Sequence, residues 1–193
     1  PGERIRHGLA FLTEDRRAEG LCLEASIADN VTLVALREQV RAAMGWLDRH
    51  VANYGGDPQR VVVSGWSAGG HLTAMMIDEP MVKGGLAISG IFDLEPVRLN
   101  YLNARLGLDA AEAHRLSPLF NLPKRTAPLM LACGGGELPE LQRQSAAYAA
   151  VRAQAGLPGR LLQLPGLNHF TILEELAHPD GRLTALVREL AAM

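Results

Sequence analysis

The chain has 193 residues, of which 48% are hydrophobic and 21% charged. That is enough apolar sequence for one sizeable core, so the composition predicts a single soluble domain. The formal net charge is −2 and the 19 lysines and arginines are scattered, which excludes a basic surface for nucleic acid. No apolar run approaches the ~18 residues of a membrane span, so we expect no membrane partner.

The two cysteines, Cys22 and Cys133, lie far apart in the sequence. No Cys-x-x-Cys pair or Cys/His cluster accompanies them, so the sequence predicts neither a disulfide framework nor a metal site. We interpret both as free thiols in a reducing compartment and expect a cytoplasmic protein. No cofactor is expected.

The first regular element is a helix followed by a strand. Apolar residues recur at helical spacing from Leu36 to Val51, and Gly55-Gly56 is a typical helix stop. We expect this helix to pack one face on a sheet. Asp57-Pro58 then predicts a turn, and the run from Arg60 to Ser64 predicts a buried strand.

The strand leads into Gly-Trp-Ser-Ala-Gly at 65–69, which is the Gly-x-Ser-x-Gly pattern of a nucleophile elbow. Such a turn is tight, so we expect Gly65 and Gly69 where a side chain does not fit. Ser67 is the candidate nucleophile. The backbone amide of Ala68, at the start of the following helix, is a candidate oxyanion donor. The alternative is an ordinary glycine-rich turn, but the preceding strand favours the elbow.

Three further apolar runs predict strands at Gly85–Ser89, Leu129–Cys133 and Arg160–Leu164. A helical pattern spans Pro139–Ala155, and a terminal amphipathic helix contains Leu183–Leu190. Strands that alternate with helices predict a parallel sheet covered on both faces.

Residues 94–127 interrupt this alternation with several prolines. Asp109 is positioned to cap a short helix, because Glu112 follows three residues later. We interpret the segment as a small lid-like insertion over the site.

An activated serine needs a base, and six histidines are present. His71 lies one turn beyond Ser67 and is expected to point away from it. Four others are expected at the surface: His7, His50, His114 and His178. His169 instead follows a strand and the loop 165–168, at the carboxyl edge of the sheet where ligands bind in open α/β folds. It is the candidate base, the alternative being a loop histidine that caps the next helix.

The base needs a carboxylate, which is expected after an intervening strand. Glu137 follows the strand Leu129–Cys133 and is the favoured candidate. Glu140 is a rival, although its place just after Pro139 favours a role at a helix N-terminus. Asp93 is a second rival, for which a structural or pocket-lining role is expected.

An apolar acyl pocket is expected beside the serine. The candidate substrate-binding residues are Trp66, Phe92, Leu94 and Phe120. Core packing is an equally good interpretation for each of them.

Several spaced motifs together resemble a known family. They are Gln39-Val-Arg-Ala-Ala, Gly56-Asp-Pro, Ser64-Gly-Trp-Ser-Ala-Gly-Gly-His-Leu, Ser89-Gly-Ile-Phe-Asp-Leu, Glu137-Leu-Pro-Glu and Gly166-Leu-Asn-His-Phe. Over about residues 32–193 they resemble the arylformamidase (kynurenine formamidase) and carboxylesterase branch of the α/β-hydrolases. The resemblance implies a truncated α/β-hydrolase fold, mainly a parallel sheet with helices on both faces and a small lid insertion. It also implies a triad of Ser67, Glu137 and His169. The glutamate, where formamidases usually carry aspartate, favours the esterase branch.

The beginning of the chain differs. Residues 6–21 and 27–33 resemble an internal piece of a sugar ABC-transporter ATPase subunit, although no Walker A loop is present. We therefore expect a fusion with its seam near Val31 to Leu36. One structural domain is predicted, with residues 1–35 as a non-native segment that completes the sheet and 36–193 as the catalytic core.

In the resembled hydrolases, a His-Gly-Gly loop before the helix near Leu36 provides a second oxyanion donor, and this sequence contains no such loop. We expect the apolar run Leu9–Leu12 to pair with the sheet, so that backbone amides of Thr13 and Glu14 replace the loop. A sheet edge left open by truncation predicts a homodimer, with exchanged N-terminal segments as one form.

These observations predict a carboxylesterase-type serine hydrolase that cleaves short-chain or activated carboxylic esters through an acyl-enzyme. The substrate is expected to be a small-molecule ester. Amide hydrolysis of N-formylkynurenine is one alternative, and a catalytically weak or inactive truncated hydrolase is another. An ABC ATPase subunit would rest on the N-terminal piece alone.

Overall fold

Four parallel strands form the centre of the computed structural model, which describes residues 33–193. The strands are β1 (Val61–Trp66), β2 (Val82–Ile88), β3 (Leu129–Gly134) and β4 (Gly159–Leu164). They lie side by side in sequence order, and every pair of neighbours is parallel. All four carboxyl ends therefore lie at one edge of the sheet.

The helices connect the strands and cover the sheet. In chain order they are α1 (Leu33–His50), α2 (Ala68–Met76), α3 (Glu95–Arg98), α4 (Asn103–Leu106), α5 (Ala110–Leu116), α6 (Pro139–Gln154), α7 (Glu174–Ala177) and α8 (Arg182–Ala191). Short 3-10 turns occupy Val51–Tyr54 and Thr171–Leu173. Gly55 ends the first of these turns with a φ of 82°, as predicted for a helix stop.

The core has two layers because successive strand residues point to opposite faces of the sheet. On one face, Leu86 and Ile88 of β2 pack with the apolar stripe of α8, formed by Leu183, Leu186 and Leu190. On the other face, Ala87 packs in a cluster to which α1, α2 and α6 contribute Met44, Met76 and Tyr148. The predicted parallel sheet with helices on both faces is confirmed.

The burial predicted for the first strand is wrong. Val61, Val62 and Val63 are only partly buried and Ser64 is exposed. The reason is the position of β1, which lies at an edge of the sheet formed by the described residues. An apolar run indicates a strand, but its burial depends on neighbours that the local sequence does not reveal.

The segment 94–127 folds into the three short helices α3, α4 and α5. Asp109 and Glu112 form the predicted capping box at the start of α5. The segment has a small core of its own, made by Leu94, Leu108, Ala113 and Leu116. A role as a lid stays a prediction.

None of the helices within residues 33–193 is both long enough and apolar enough to cross a membrane.

Helix α2 lies very close to the end of β2. A Cβ atom on Gly70 would lie 2.7 Å from Gly90 Cα, well inside the normal contact distance. A Cβ on the preceding Gly69 would meet no atom within 4 Å. The two glycines thus differ in what a side chain would meet, although both belong to α2.

We therefore expect Gly70→Ala to lower the free energy of unfolding by about 1–3 kcal/mol, because backbone must move to admit the methyl group. Gly69→Ala is the matched control, and it should leave stability unchanged or raise it by up to about 1 kcal/mol. Urea denaturation measures both. Equal effects at the two positions would contradict the close approach.

Candidate active site

Ser67 occupies the tight turn between β1 and α2. Its φ of 57° and ψ of −115° are uncommon for a residue other than glycine. The Ser67 N–H donates to Ile88 O at 2.9 Å, and Ser67 O accepts from the His71 N–H at 3.1 Å. Strained backbone of this kind concentrates at functional sites, where the surrounding structure must hold it.

The two glycines of the motif have different roles. A Cβ on Gly65 would collide with the carbonyl group of Gly69, so the turn excludes a side chain there. Gly69 itself faces open space, and the expectation that its lack of a side chain is needed is wrong. The close approach on the helix side is made by Gly70 instead.

Ala68 is the first residue of α2. The first N–H groups of a helix have no carbonyl partner within that helix, and they carry the positive end of the helix dipole. The amide of Ala68 is the first of these N–H groups and directly follows Ser67 in the chain.

Glu137 and His169 are in contact. His169 Nδ1 lies 3.3 Å from Glu137 Oε2, at the long end of the hydrogen-bond range. The Glu137 side chain is fully buried, whereas that of His169 is 22% exposed. The second oxygen, Oε1, accepts hydrogen bonds from Ser89 Oγ at 2.6 Å and from the Gly134 N–H at 2.7 Å. The carboxylate is therefore held in one orientation, with Oε2 facing the imidazole.

The two rival carboxylates are used elsewhere. Asp93 accepts the Glu95 N–H at 3.0 Å and forms a 3.3 Å ion pair with Arg143. Glu140 lies in the first turn of α6, and its carboxylate binds Arg143 at 2.7 Å rather than the helix backbone. The hydrogen bond from Arg143 lowers the pKa of Glu140. Of the three candidates, Glu137 is the one that the structure brings to His169.

His71 is a structural residue. It is buried, and its Nδ1 lies 2.9 Å from Ile91 O. Because a carbonyl oxygen only accepts, Nδ1 must carry the proton. Burial lowers the pKa of His71 to about 4, so the ring is neutral at pH 7.

Three of the expected surface histidines lie in the part of the chain that the structure describes. His114 and His178 are exposed and His50 is partly buried. His7 lies outside the described residues.

The four apolar candidates separate into three groups. The indole ring of Trp66 contacts the His169 ring, with centroids 4.7 Å apart. Phe92 and Leu94 are 0% and 2% exposed, so they belong to the core and have essentially no surface open to a ligand. Phe120 is exposed and stacks on His114.

One contact expected of a triad is not present among residues 33–193. Their hydrogen bonds do not include one between Ser67 Oγ and the His169 ring. Residues 33–193 contain no group of three or more His, Cys, Asp or Glu side chains that could hold a metal ion. Thr13 and Glu14, the candidate second oxyanion donors, lie outside the described residues.

Sequence reasoning did not identify Ser89 as a member of this site. Ser89 follows β2 with a φ of 50°, is fully buried, and donates to Glu137, which is 48 residues away in the chain. The sequence shows Ser-Gly directly after a predicted strand. It does not show that this serine contacts Glu137, because the two residues lie 48 positions apart.

Removal of the Ser89 hydroxyl should therefore be costly. We expect Ser89→Ala to lower the free energy of unfolding by about 1.5–3 kcal/mol, since a hydrogen bond to a buried charged group is lost. Ser89→Gly removes the same hydroxyl but relieves the positive φ, so it should be less damaging by about 1 kcal/mol. Chemical denaturation distinguishes the two variants. An alanine variant as stable as the unsubstituted protein would contradict the hydrogen bond.

Comparison with known proteins gives one family model and several relatives. Residues 26–92 match the family model described as the Carboxylesterase family. This match begins before the predicted seam near Val31. Kynurenine formamidase of Salmo salar is 32% identical over 140 residues, covering 65% of this chain and 48% of the relative. The enzyme of Danio rerio is 27% identical over 178 residues, covering 86% and 59%. The chain thus spans about half the length of the curated relatives it matches.

A second kind of relative also matches part of the chain. The Ribose import ATP-binding protein RbsA of Yersinia pestis is 37% identical over 87 residues, covering 40% of this chain and 17% of the relative. An alignment of that length extends beyond residues 1–31. The predicted resemblance to a sugar ABC ATPase subunit is confirmed as a partial match.

Solved structures share the fold. A putative thioesterase from Silicibacter is 25% identical with a TM-score of 0.67, over 87% of this chain and 61% of that one. A thermophilic esterase from Thermogutta terrifontis is 24% identical with a TM-score of 0.59, over 74% and 58%. The α/β-hydrolase fold and the resemblance to carboxylesterases and kynurenine formamidases, both predicted from the motifs, are confirmed.

Proposed function

We propose that the chain is a serine hydrolase that cleaves short-chain or activated carboxylic esters through an acyl-enzyme. The observation that carries the proposal is the buried carboxylate of Glu137 against His169 Nδ1, at the same sheet edge as the strained turn of Ser67. A base oriented by a third group and placed near a nucleophile is the general signature of nucleophilic catalysis. The similarity to the Carboxylesterase family supports the reaction class.

In the proposed mechanism, His169 donates its Nδ1–H to Glu137 Oε2, which leaves Nε2 free to accept a proton. Ser67 Oγ attacks the ester carbonyl carbon while Nε2 takes the hydroxyl proton. The Ala68 N–H stabilises the oxyanion. When the tetrahedral intermediate collapses, the protonated imidazole gives its proton to the departing alcohol and the acyl-enzyme remains.

The second half of the reaction repeats the same steps with water. Nε2 of His169 removes a proton from a water molecule, whose oxygen attacks the acyl carbon. Collapse of this intermediate returns the proton to Ser67 Oγ and releases the carboxylic acid. No redox step or cofactor enters the cycle, and the protein ends in the state in which it began.

Backbone amides of Thr13 and Glu14 are proposed as the second oxyanion donors, with the run Leu9–Leu12 paired to the sheet. Loss of one such donor typically costs on the order of 10²–10³ in rate, so a chain with Ala68 alone should turn over slowly. A weak or inactive hydrolase is therefore the outcome to expect if these amides lie elsewhere.

Hydrolysis of an aryl formamide is the second candidate activity, supported by the similarity to kynurenine formamidases of fish. It would use the same residues and differ only in the substrate. Specificity constants for N-formylkynurenine and for a phenyl ester of a short acid, measured on the same preparation, separate the two candidates.

A chromogenic short-chain ester should give a burst of one product equivalent per active chain, followed by slower turnover. We expect Ser67→Ala to abolish the burst and to lower turnover by ~10⁶, because the nucleophile is removed. Ser64→Ala is the matched control on the same strand. The Ser64 hydroxyl donates only to Leu86 O, at 3.0 Å, so this variant should keep the burst. An undiminished burst in Ser67→Ala would contradict the mechanism.

The proposed organisation is one structural domain, with residues 1–35 completing the sheet of the catalytic core 36–193. The edge of β1, at the border of the sheet formed by the described residues, is the proposed pairing site for this segment. In the proposed homodimer the two protomers exchange these segments, because strand edges tend to pair with another chain. Light scattering should give twice the mass of the 20.8 kDa chain. A monomeric mass at micromolar concentration would contradict the dimer.

A reducing, cytoplasmic environment is proposed as the place of action. Cys133 is a free thiol that is fully buried. Burial, followed by the nearby charge of Glu137, raises its pKa to about 11, so it remains protonated and unreactive at neutral pH. Cys22 lies outside the described residues.

A further inference from the structure

Trp66 links the nucleophile turn to the loop that carries the base. It is the last residue of β1 and directly precedes Ser67. Its indole N–H donates a 2.7 Å hydrogen bond to the backbone carbonyl oxygen of His169, 103 residues further along the chain. Two of the three proposed catalytic residues are thus connected through a single side chain.

The same indole also contacts the imidazole ring. The Trp66 and His169 ring centroids are 4.7 Å apart with planes tilted by 38°. The centroid of the Phe170 ring lies 5.7 Å from that of the indole and 5.4 Å from that of the imidazole. The Phe170 ring is edge-on to the imidazole. Aromatic contacts at these distances restrict ring rotation as well as backbone position.

Other contacts of the His169 loop do not fix the imidazole as directly. The side chain of Asn168 accepts from the N–H groups of Phe170 and Thr171, which closes a local turn only. Leu167 O accepts from the Gly136 N–H at 2.9 Å, which ties the loop to the Glu137 turn rather than to Ser67. The His169–Glu137 distance of 3.3 Å is itself long for a hydrogen bond.

We propose that Trp66 is a positioning residue of the proposed triad, which holds the His169 imidazole at a set distance from Ser67. This inference rests on the proposed function and adds to it. Trp66 and Ser67 are joined by a rigid peptide bond. The hydrogen bond from Trp66 to His169 O therefore couples the position of the histidine backbone to that of the Ser67 turn. The indole also faces the ring that becomes an imidazolium during catalysis, and a cation this close to an aromatic ring is attracted to it.

Trp66→Phe tests the hydrogen bond, since it keeps an aromatic ring but removes the N–H donor. We expect kcat for a chromogenic short-chain ester to fall about tenfold with KM changed less than twofold, because small displacements of a catalytic group slow chemistry without weakening binding. Trp46→Phe is the matched control. Trp46 is exposed, its ring contacts those of His50 and Tyr54, and it should be replaceable without loss of kcat.

Fluorescence provides a second readout in protein that retains Trp66. The chain has two tryptophans, so Trp46→Phe leaves Trp66 as the only one. Emission of Trp46→Phe at a fixed pH should change in intensity or wavelength when His169→Gln is added, because the imidazole lies against the indole.

The outcomes separate the two proposals. If the parent protein turns over ester and loses activity with Ser67→Ala, but Trp66→Phe keeps its full kcat, then the positioning role is wrong and the proposed function stands. If the Trp66 emission is the same with and without His169, the ring contact is wrong. If the parent shows no ester turnover, the proposed function fails, and the positioning role fails with it.

Discussion

A buried carboxylate organises the carboxyl edge of this sheet. The Glu137 side chain is fully shielded from solvent, and a carboxylate so placed is very costly unless polar partners surround it. Its partners are Ser89 Oγ, the Gly134 N–H and His169 Nδ1. Ser89 follows β2, Gly134 ends β3 and His169 lies in the loop after β4. One side chain therefore ties together the ends of three neighbouring strands, and Ser67 at the end of the fourth completes the row.

Close backbone approaches make this arrangement possible. Gly65 lets β1 turn into α2, and Gly70 lets α2 rest on the end of β2. A Cβ on Gly134 would collide with the backbone of Leu167, so a side chain at this position would push the His169 loop away from the carboxylate. The site thus depends as much on missing side chains as on the chemical groups present. This explains why positions that carry no catalytic atom are expected to be sensitive to substitution.

Much of the fold could be predicted because its signals are local. Alternation of apolar strands and amphipathic helices identified the parallel sheet, and spacing identified the capping box of Asp109 and Glu112. Properties set by distant partners were missed. The exposure of β1 depends on which strands pair with it, and the contact of Ser89 with Glu137 joins residues 48 positions apart. Phe92 lies in the core. The sequence could not distinguish this position from one in a substrate pocket, because an aromatic residue near a motif is compatible with both.

The central claim is that Ser67 is a nucleophile activated by His169. Its most direct test is reaction of the intact protein with a fluorophosphonate, followed by digestion and mass spectrometry to locate the adduct. We expect one adduct per chain on the peptide that contains Ser67, formed much more slowly in His169→Gln. An adduct on another serine, or labelling of Ser67 at the same rate without the histidine, would contradict it.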